Sequence, residues 1–486
     1  MQFFHKFKKI TFLFFILLTL NTNLIYAESI NGSATGANAS VSSTSTNINS
    51  ATDSNINSYN TTVNSNIPST YSPACILMDQ NSGKILYSKN ANTKMYPAST
   101  TKIMTAILTL ENCKLDEVAT ASHNAVYSIP YSYSVATIQE GEELTIEQLL
   151  NVLLIPSAND AAVVLAEHIA GSVENFANMM NQKALELGCK NTHFVNPNGI
   201  HSEDHYSTAY DLALMGKYAM TFPEFRQIVS KTSYALPSTD VYPASDRLFN
   251  TTNELIRKNY STSARNYYYE FATGGKTGYT DAAKSCIVAT ATKGDISLLT
   301  VVLHDETTED GLSQRPIDCK TLFEYGFNNY SVKTLFSKGS TVKSIEVVKG
   351  SSETKNLDLV CSSDVTALVS NDTDVEGIPM DITLSDGITA PIAEGTNLGT
   401  VSYTIDGVTY SSDLLASHNV YKSNFVKVSL EIILLMLALF IFGKIIHVFD
   451  SSKKNKKIKK QRKSTKVKNR KKKSSSTYPE GFYPHY

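Results

Sequence analysis

The order of periodicities along this 486-residue chain predicts an α/β (α+β) fold. An antiparallel sheet takes strands from both ends of one domain, and a helical cluster is inserted between them. A small all-β domain and one C-terminal transmembrane helix follow. Three observations carry this reading. Alternating apolar runs flank turn residues near residue 82 and again near residue 294. Between them the apolar spacing is helical, with start and stop signals in place. Beyond residue 424 an apolar run is long enough to span a bilayer.

The chain starts with basic "MQFFHKFKK" and apolar "ITFLFFILLTL", and "IYA" ends at Ala27. This is the pattern of a signal peptide over residues 1–27; a membrane anchor is the alternative, but the apolar run is short for it. Residues 28–70 are almost all Asn, Ser, Thr and Ala, too polar to pack, and read as a linker. Order is expected from Tyr71. "PACILMDQNSGKILYSKN" forms a hairpin about Asn81-Ser82-Gly83. Residues 99–112 form a helix on Ile103, Met104, Ile107, Leu108 and Leu110. Thr145 and Gln148 make a capping box for the next helix. Residues 159–170 stop at Gly171, and residues 172–187 stop at Gly188. "STAYDLALMGKYAM" gives a helix from about Ser207. "SCIVATATKGDISLLTVVLHD" is a second hairpin turning at Lys293-Gly294-Asp295, and a helix over about 318–325 closes the domain, residues 71–330. Residues 331–420 alternate in short runs broken by turns and read as the small β domain, structural in character.

"VSLEIILLMLALFIFGKIIHVF" supplies the transmembrane helix, residues 425–449, with Glu431 and Lys444 placed to snorkel. The alternative is an amphipathic surface helix, but residues 432–443 have no polar face. Fourteen of the 44 Lys+Arg lie in residues 453–473, where no acid occurs. The positive-inside rule places this basic tail, residues 450–486, in the cytoplasm and the rest outside the membrane. Without the tail and Lys6, Lys8 and Lys9, about 27 bases face about 44 acids. So acidic a body is not built to hold nucleic acid, and the tail's charge suits anionic lipid. Cys75, Cys113, Cys189, Cys286, Cys319 and Cys361 show no close pair, hence neither a zinc pattern nor a small disulfide scaffold. An exported chain leaves both thiols and disulfides open.

The chemistry centres on Ser99 and Lys102. The same spacing recurs at Ser340/Lys343, Ser352/Lys355 and Ser451/Lys454, so it decides nothing alone. Ser99 is either a helix N-cap or a nucleophile. A serine hydroxyl needs a base, and Lys102, one turn on, lies on the same helix face. A lysine serves as base only with a lowered pKa, through burial or a nearby cation such as Lys276. Ser157-Ala158-Asn159 follows at a loop-to-helix junction, and Lys276-Thr277-Gly278 before the last hairpin. The order Ser-x-x-Lys, Ser-x-Asn, Lys-Thr-Gly is the signature of active-serine penicillin-recognising enzymes.

With these motifs, and with "NSGKILYSKN", "PSANDAAVVLAEHIAGS", "MNQKALELGCKNTHFVNPNGI", "YSTAYDLALMGKYA" and "TGGKTGYTDAAKSCIVATAT", the chain resembles the low-molecular-mass penicillin-binding proteins. These are D-alanyl-D-alanine carboxypeptidases of peptidase family S11. The resemblance covers residues 71–330 strongly and the β domain more faintly, through "APIAEGTNLGTV". It implies a β-lactamase/transpeptidase-like fold and catalytic roles for Ser99, Lys102 and Ser157. It implies substrate-binding roles for Asn159, Lys276, Thr277, Gly278, Tyr279 and Arg315. The oxyanion hole would use the N–H groups of Ser99 and Tyr279, and Thr277 and Arg315 would hold the substrate carboxylate. The implied reaction removes the terminal D-alanine from peptidoglycan stem peptides ending in D-Ala-D-Ala, through an ester on Ser99. β-Lactams would acylate the same serine, and no metal or cofactor is implied. Family members commonly end in an amphipathic helix on the membrane, whereas this chain predicts a true span.

Two rival functions share the motifs. A β-lactamase adds a glutamate that activates the deacylating water. No glutamate motif lies between Ser157 and Lys276, leaving Glu203 and Glu254 as candidates. A non-catalytic module sensing penicillin or peptidoglycan fragments would signal through the tail, which is short. In "HSEDH", His201 and His205 with Glu203 and Asp204 suit metal on a helix, but the stretch follows a turn and lacks a third ligand.

Overall fold

Asn81-Ser82-Gly83 turns the chain back on itself, so β1 (Ala74–Asp79) and β2 (Ile85–Lys89) pair antiparallel with Ile76 opposite Ser88. Gly83 takes the positive φ of 83° that the turn needs. The computed structural model describes residues 67–258, 267–307 and 313–472. The predicted signal peptide, most of the linker and the end of the tail lie outside these residues.

After β2 the chain leaves the sheet for the helical cluster. A 3₁₀ turn, Ala98–Thr101, runs directly into α1 (Lys102–Asn112). Every residue of α1 from Lys102 to Thr109 is buried, as suits a helix packed on all sides. β3 (Val118–Thr120), α2 (His123–Tyr127) and β4 (Glu143–Thr145) follow, with β3 paired to β4. The predicted capping box is formed: Gln148 N–H bonds Thr145 Oγ1 and Thr145 N–H bonds Gln148 Oε1, opening α3 (Ile146–Leu154). α4 (Asn159–Ala170) stops at Gly171, whose φ is 74°. α5 (Val173–Glu186) is capped by Ser172 and α6 (Ala209–Ala219) by Thr208. α7 (Pro223–Val229) opens with proline in its first turn, and β5 (Ser233–Leu236) pairs with β6 (Arg247–Asn250).

The chain then returns through β7 (Ala272–Thr280), β8 (Lys284–Lys293) and β9 (Ile296–Asp305) to α8 (Arg315–Asn329). The five strands form one antiparallel sheet in the order β2-β1-β9-β8-β7. Its closure is non-local: Thr300 Oγ1 donates to the Ile76 carbonyl across 224 residues. Alternation sorts the side chains. Ile76, Met78, Val288, Leu299 and Val301 enter the core shared with the helical cluster. Leu77, Ile287, Leu298 and Val302 enter the core under α8 with Leu322 and Phe323. Both faces are covered, which explains the continuous apolar character of "ISLLTVVLHD". α8 is longer than the predicted 318–325 at both ends. It begins at Arg315 without a side-chain cap, and Pro316 in its first turn is the start signal that the shorter expectation passed over.

β10 (Tyr330–Phe336) follows α8 without a linker and pairs with β13 (Val365–Ser370). β11 (Thr341–Glu346), β12 (Asn356–Cys361), β14 (Asp381–Leu384), β15 (Asn397–Ile405) and β16 (Val408–Ala416) form a sheet in the order β11-β12-β16-β15-β14. It has its own core, including Leu357, Leu359, Val401 and Leu414. Lys84, beside the first hairpin turn, ties the two parts: its Nζ donates to the Leu368 carbonyl at 3.0 Å and pairs with Asp406 at 2.6 Å. The described residues end in α9 (Phe425–Lys472), among them the one helix long and apolar enough to cross a membrane. Its apolar run, including Leu434, Leu435, Met436, Leu437, Leu439 and Phe440, is exposed. The architecture is the predicted one.

Leu298 is fully buried under α8. Leu298→Ala is expected to cost about 2–5 kcal/mol through lost burial and the cavity left behind. A lowered denaturant midpoint with unchanged slope would show it.

Candidate active site

From Pro97 to Thr109 every residue is buried except Ser99, which is half-exposed. The sequence therefore builds a solid apolar helix and leaves one hydroxyl at its mouth. Ser99 is not an N-cap: it lies inside the 3₁₀ turn, whose cap position is Pro97 and carries no side-chain cap bond. The turn is held from within, where Thr100 Oγ1 donates to the Pro97 carbonyl at 2.7 Å. It begins on a strained residue, Ala98, at φ 47°.

Lys102 is completely buried. Its Nζ lies 2.9 Å from Ser99 Oγ, 2.8 Å from Asn159 Oδ1 and 2.6 Å from the Asn198 carbonyl oxygen. The orientation of Asn159 is fixed, because its Nδ2 donates to the Ser134 carbonyl at 2.8 Å. Two of the three partners can therefore only accept. A neutral amine has two N–H bonds and one lone pair. Once both carbonyls are served, the lone pair is left for the Ser99 hydroxyl. Electrostatics favour this neutral form. Burial, then the neighbouring Lys276, hold the Lys102 ammonium well below the usual lysine range, against a smaller opposing pull from Asp160. Lys276, also fully buried, is pushed down to about 7 by burial and by Arg315. The cation invoked from sequence is in place, but burial is the larger cause.

Ser157 takes a positive φ of 70° and is only 6% exposed. Its Oγ is buried without a hydrogen-bond partner. A strained serine with an unsatisfied buried hydroxyl stands beside the start of α4, the combination expected of a functional rather than a packing residue. Asp160 accepts from the backbone of Ala136, Ile138 and Ala161, anchoring the 134–138 segment around Asn159.

Lys276, Thr277, Gly278 and Tyr279 lie on β7, the edge strand that precedes the β8–β9 hairpin. Close approach explains Gly278: a Cβ there would meet Ser99 N at 2.9 Å and the Pro97 carbonyl at 3.0 Å. Gly199 does the same from another side, since its Cβ would fall 1.9 Å from the Ala98 carbonyl oxygen. Lys276 Nζ donates to the Thr277 carbonyl, and Thr277 Oγ1 bonds Thr252 Oγ1. Tyr279 is an exposed side chain whose hydroxyl donates to Asp281 at 3.2 Å. Arg315 stands one strand further in. It is buried, paired with Glu254, and donates to the carbonyl of Cys286, the strand partner of Gly278.

Asn198, Ser134 and Thr252 were missed from sequence. The first two act through backbone carbonyls, which leave no side-chain signature, although the Asn198 stretch was part of the quoted resemblance. "HSEDH" forms no metal pair. His205 Nδ1 accepts from Val195 N–H, its Nε2 faces Thr101 Oγ1 at 2.8 Å, and His201 packs edge-on against Tyr96. Burial pushes His205 down to about 3, so it is neutral.

The family described as D-alanyl-D-alanine carboxypeptidase (peptidase S11) matches residues 60–307, and the penicillin-binding protein 5 C-terminal domain matches residues 330–427. The D-alanyl-D-alanine carboxypeptidase DacF of Bacillus subtilis is 34% identical over 73% of this chain and 87% of its own. DacC of Escherichia coli is 29% identical over 74% of this chain and 86% of its own. Penicillin-binding protein 5 of Haemophilus influenzae superposes with a TM-score of 0.56 at 26% identity, covering 73% of this chain and 99% of that one.

Gly278→Ala is expected to push β7 off the Ser99 turn and lower any Ser99-dependent rate about 100-fold, with a stability cost of about 1–3 kcal/mol. A circular dichroism melt beside the rate assay separates the two effects. Lys276 binds fewer protons folded than unfolded, so its contribution is fully present above about 10.5 and is lost as pH falls to about 7. Lys276→Met should therefore be the more stable protein at pH 7, with the gap closing as pH rises toward 10.5. Denaturant midpoints measured across that range test the sign.

Proposed function

The chain belongs to the D-alanyl-D-alanine carboxypeptidase family, peptidase S11, and from that membership we propose how it works: it removes the terminal D-alanine of peptidoglycan stem pentapeptides through an ester on Ser99. The carrying observation is the Lys102 amine, buried, pushed toward neutrality, and 2.9 Å from Ser99 Oγ. Lys102 takes the hydroxyl proton as Ser99 Oγ attacks the carbonyl carbon between the two D-alanines. The N–H groups of Ser99 and Tyr279 receive the developing oxyanion. The C–N bond breaks as Ser157 gives its hydroxyl proton to the leaving D-alanine amine and takes in return the proton that Lys102 received from Ser99, which leaves Lys102 neutral. The unpartnered Ser157 hydroxyl is free for that bond. Thr277 and Arg315 hold the terminal carboxylate, and Lys276 adds positive charge beside it. Water then attacks the ester carbonyl and gives a proton to Lys102; the C–O bond to Ser99 breaks, and Lys102 returns that proton to Ser99 Oγ, so both groups are restored.

A β-lactam presents the same acyl–amide geometry and acylates Ser99. Turnover of that adduct is slow in this reading. Among the described residues no carboxylate is hydrogen-bonded to Ser99, Lys102, Ser157 or Asn159, Glu254 is taken by Arg315, and Glu203 lines a cavity with Lys94, Tyr96 and Tyr206. The apolar part of α9, residues 428–449, spans about 33 Å at 1.5 Å per residue, matching a hydrocarbon core of about 30 Å. We place the catalytic domain outside the membrane and the basic tail in the cytoplasm, with residues 1–27 the export signal.

Full-length protein in detergent should release free D-alanine from a stem pentapeptide and take a fluorescent penicillin label. Ser99→Ala should lose the label and at least about 1,000-fold in kcat/KM. A labelled Ser99→Ala protein would sink the nucleophile assignment. The acid limb of kcat/KM should have its midpoint well below 10.5, because activity requires unprotonated Lys102 and is lost as pH falls through that midpoint. A pH profile of initial rates checks it.

A further inference from the structure

The helices that begin at the active site converge again at their other ends. α1 begins with Lys102 and is closed by Cys113; α4 begins with Asn159 and carries His168 in its last turn. Glu117, at the end of the short turn after Cys113, reaches the same point. The Sγ of Cys113, a carboxylate oxygen of Glu117 and a ring nitrogen of His168 all lie within 4.8 Å of one another. Nothing in the serine chemistry uses these groups.

We propose that Cys113, Glu117 and His168 form a binding site for one borderline-soft divalent transition ion, with zinc the best match. The donor set is one thiolate, one imidazole and one carboxylate, the three protein ligand types that zinc takes. Tetrahedral ligands at about 2.0–2.3 Å from the ion stand roughly 3.3–3.7 Å apart. His168 Nε2 and Glu117 Oε1 now stand 2.7 Å apart, so this contact opens by about half an ångström to admit the ion. Glu117 is exposed, Cys113 is half-buried and the His168 ring is 24% exposed, so the carboxylate can turn and an ion can enter. Cys113 is a free thiol, and its proton leaves to solvent as Sγ binds. The fourth position falls to water.

Eleven and twelve residues of helix separate the two ends, about 16–18 Å. The ion therefore takes no part in the attack on substrate. It pins the far ends of the two helices whose near ends are joined by the Lys102–Asn159 bond of 2.8 Å. A ligand bound only by the folded state raises its stability. The proposal stands apart from the carboxypeptidase reading, and the two can fail separately.

The test titrates Co²⁺ into reduced full-length protein in detergent. One ion per chain should bind, with a near-ultraviolet thiolate-to-cobalt band and the visible bands of tetrahedral cobalt, all abolished by Zn²⁺. Cys113→Ser should lose the near-ultraviolet band, and Cys113→Ser and His168→Gln should each weaken binding at least about tenfold. Zn²⁺ should raise the melting temperature of the parent protein and not of either variant. Fluorescent penicillin labelling of Ser99 should persist in both, which shows that they fold. A missing band, a band that survives Cys113→Ser, or an equal melting shift in the variants overturns the site.

Discussion

One buried amine governs this structure. Lys102 sits without solvent among two carbonyl oxygens and one hydroxyl. An ammonium there would need three good acceptors and a counter-ion to offset its desolvation. Instead it finds Lys276 nearby, and Asp160 pulls only weakly the other way. The neutral form is what the surroundings favour, and in that form the Ser99 hydroxyl is the single partner able to donate. Burial thus favours the neutral amine, and the fixed carbonyls aim its lone pair at the Ser99 hydroxyl.

Holding those atoms demands backbone approaches that ordinary residues resist. Gly278 lets the edge strand touch the Ser99 turn, and Gly199 lets the Asn198 segment touch it from another side. Ala98 and Ser157 accept positive φ without being glycine. Such strain costs of order 1–3 kcal/mol per residue, and it persists because the surroundings are rigid. A sheet buried on both faces and a helix buried on all sides supply that rigidity. The non-local pairing of β1 with β9 is the foundation, since it brings the start and the end of the domain into one sheet.

The C-terminal β sheet is attached stiffly rather than strung on a tether. β10 leaves α8 without a linker, and Lys84 reaches across to Leu368 and Asp406. α9 then follows from residue 425, an apolar helix continuing into a basic one. Relatives of the same family cover both the catalytic part and the β part of the chain. The two parts are thus joined covalently without a linker and by the Lys84 contacts, and the apolar helix follows the second of them.

Local interactions were legible in the letters. The Thr145–Gln148 box, the stops at Gly171 and Gly188, and the turns at Gly83 and Gly294 each depend on residues a few positions apart, and each appears where the pattern placed it. The order of the three short motifs pointed to the active-serine penicillin-recognising enzymes, and the longer stretches around them to one family among these. Distance and burial were not legible. That Lys-Thr-Gly lies on an edge strand against the Ser99 turn, that Asn198 serves through a carbonyl and that Arg315 is held by Glu254 all depend on chain segments many tens of residues apart. So does the meeting of Cys113 and Glu117 with His168. The sequence by itself determined which groups are present and which local elements carry them. Only the tertiary structure decided which of them are dry, how near they stand, and hence which lysine can give up its proton.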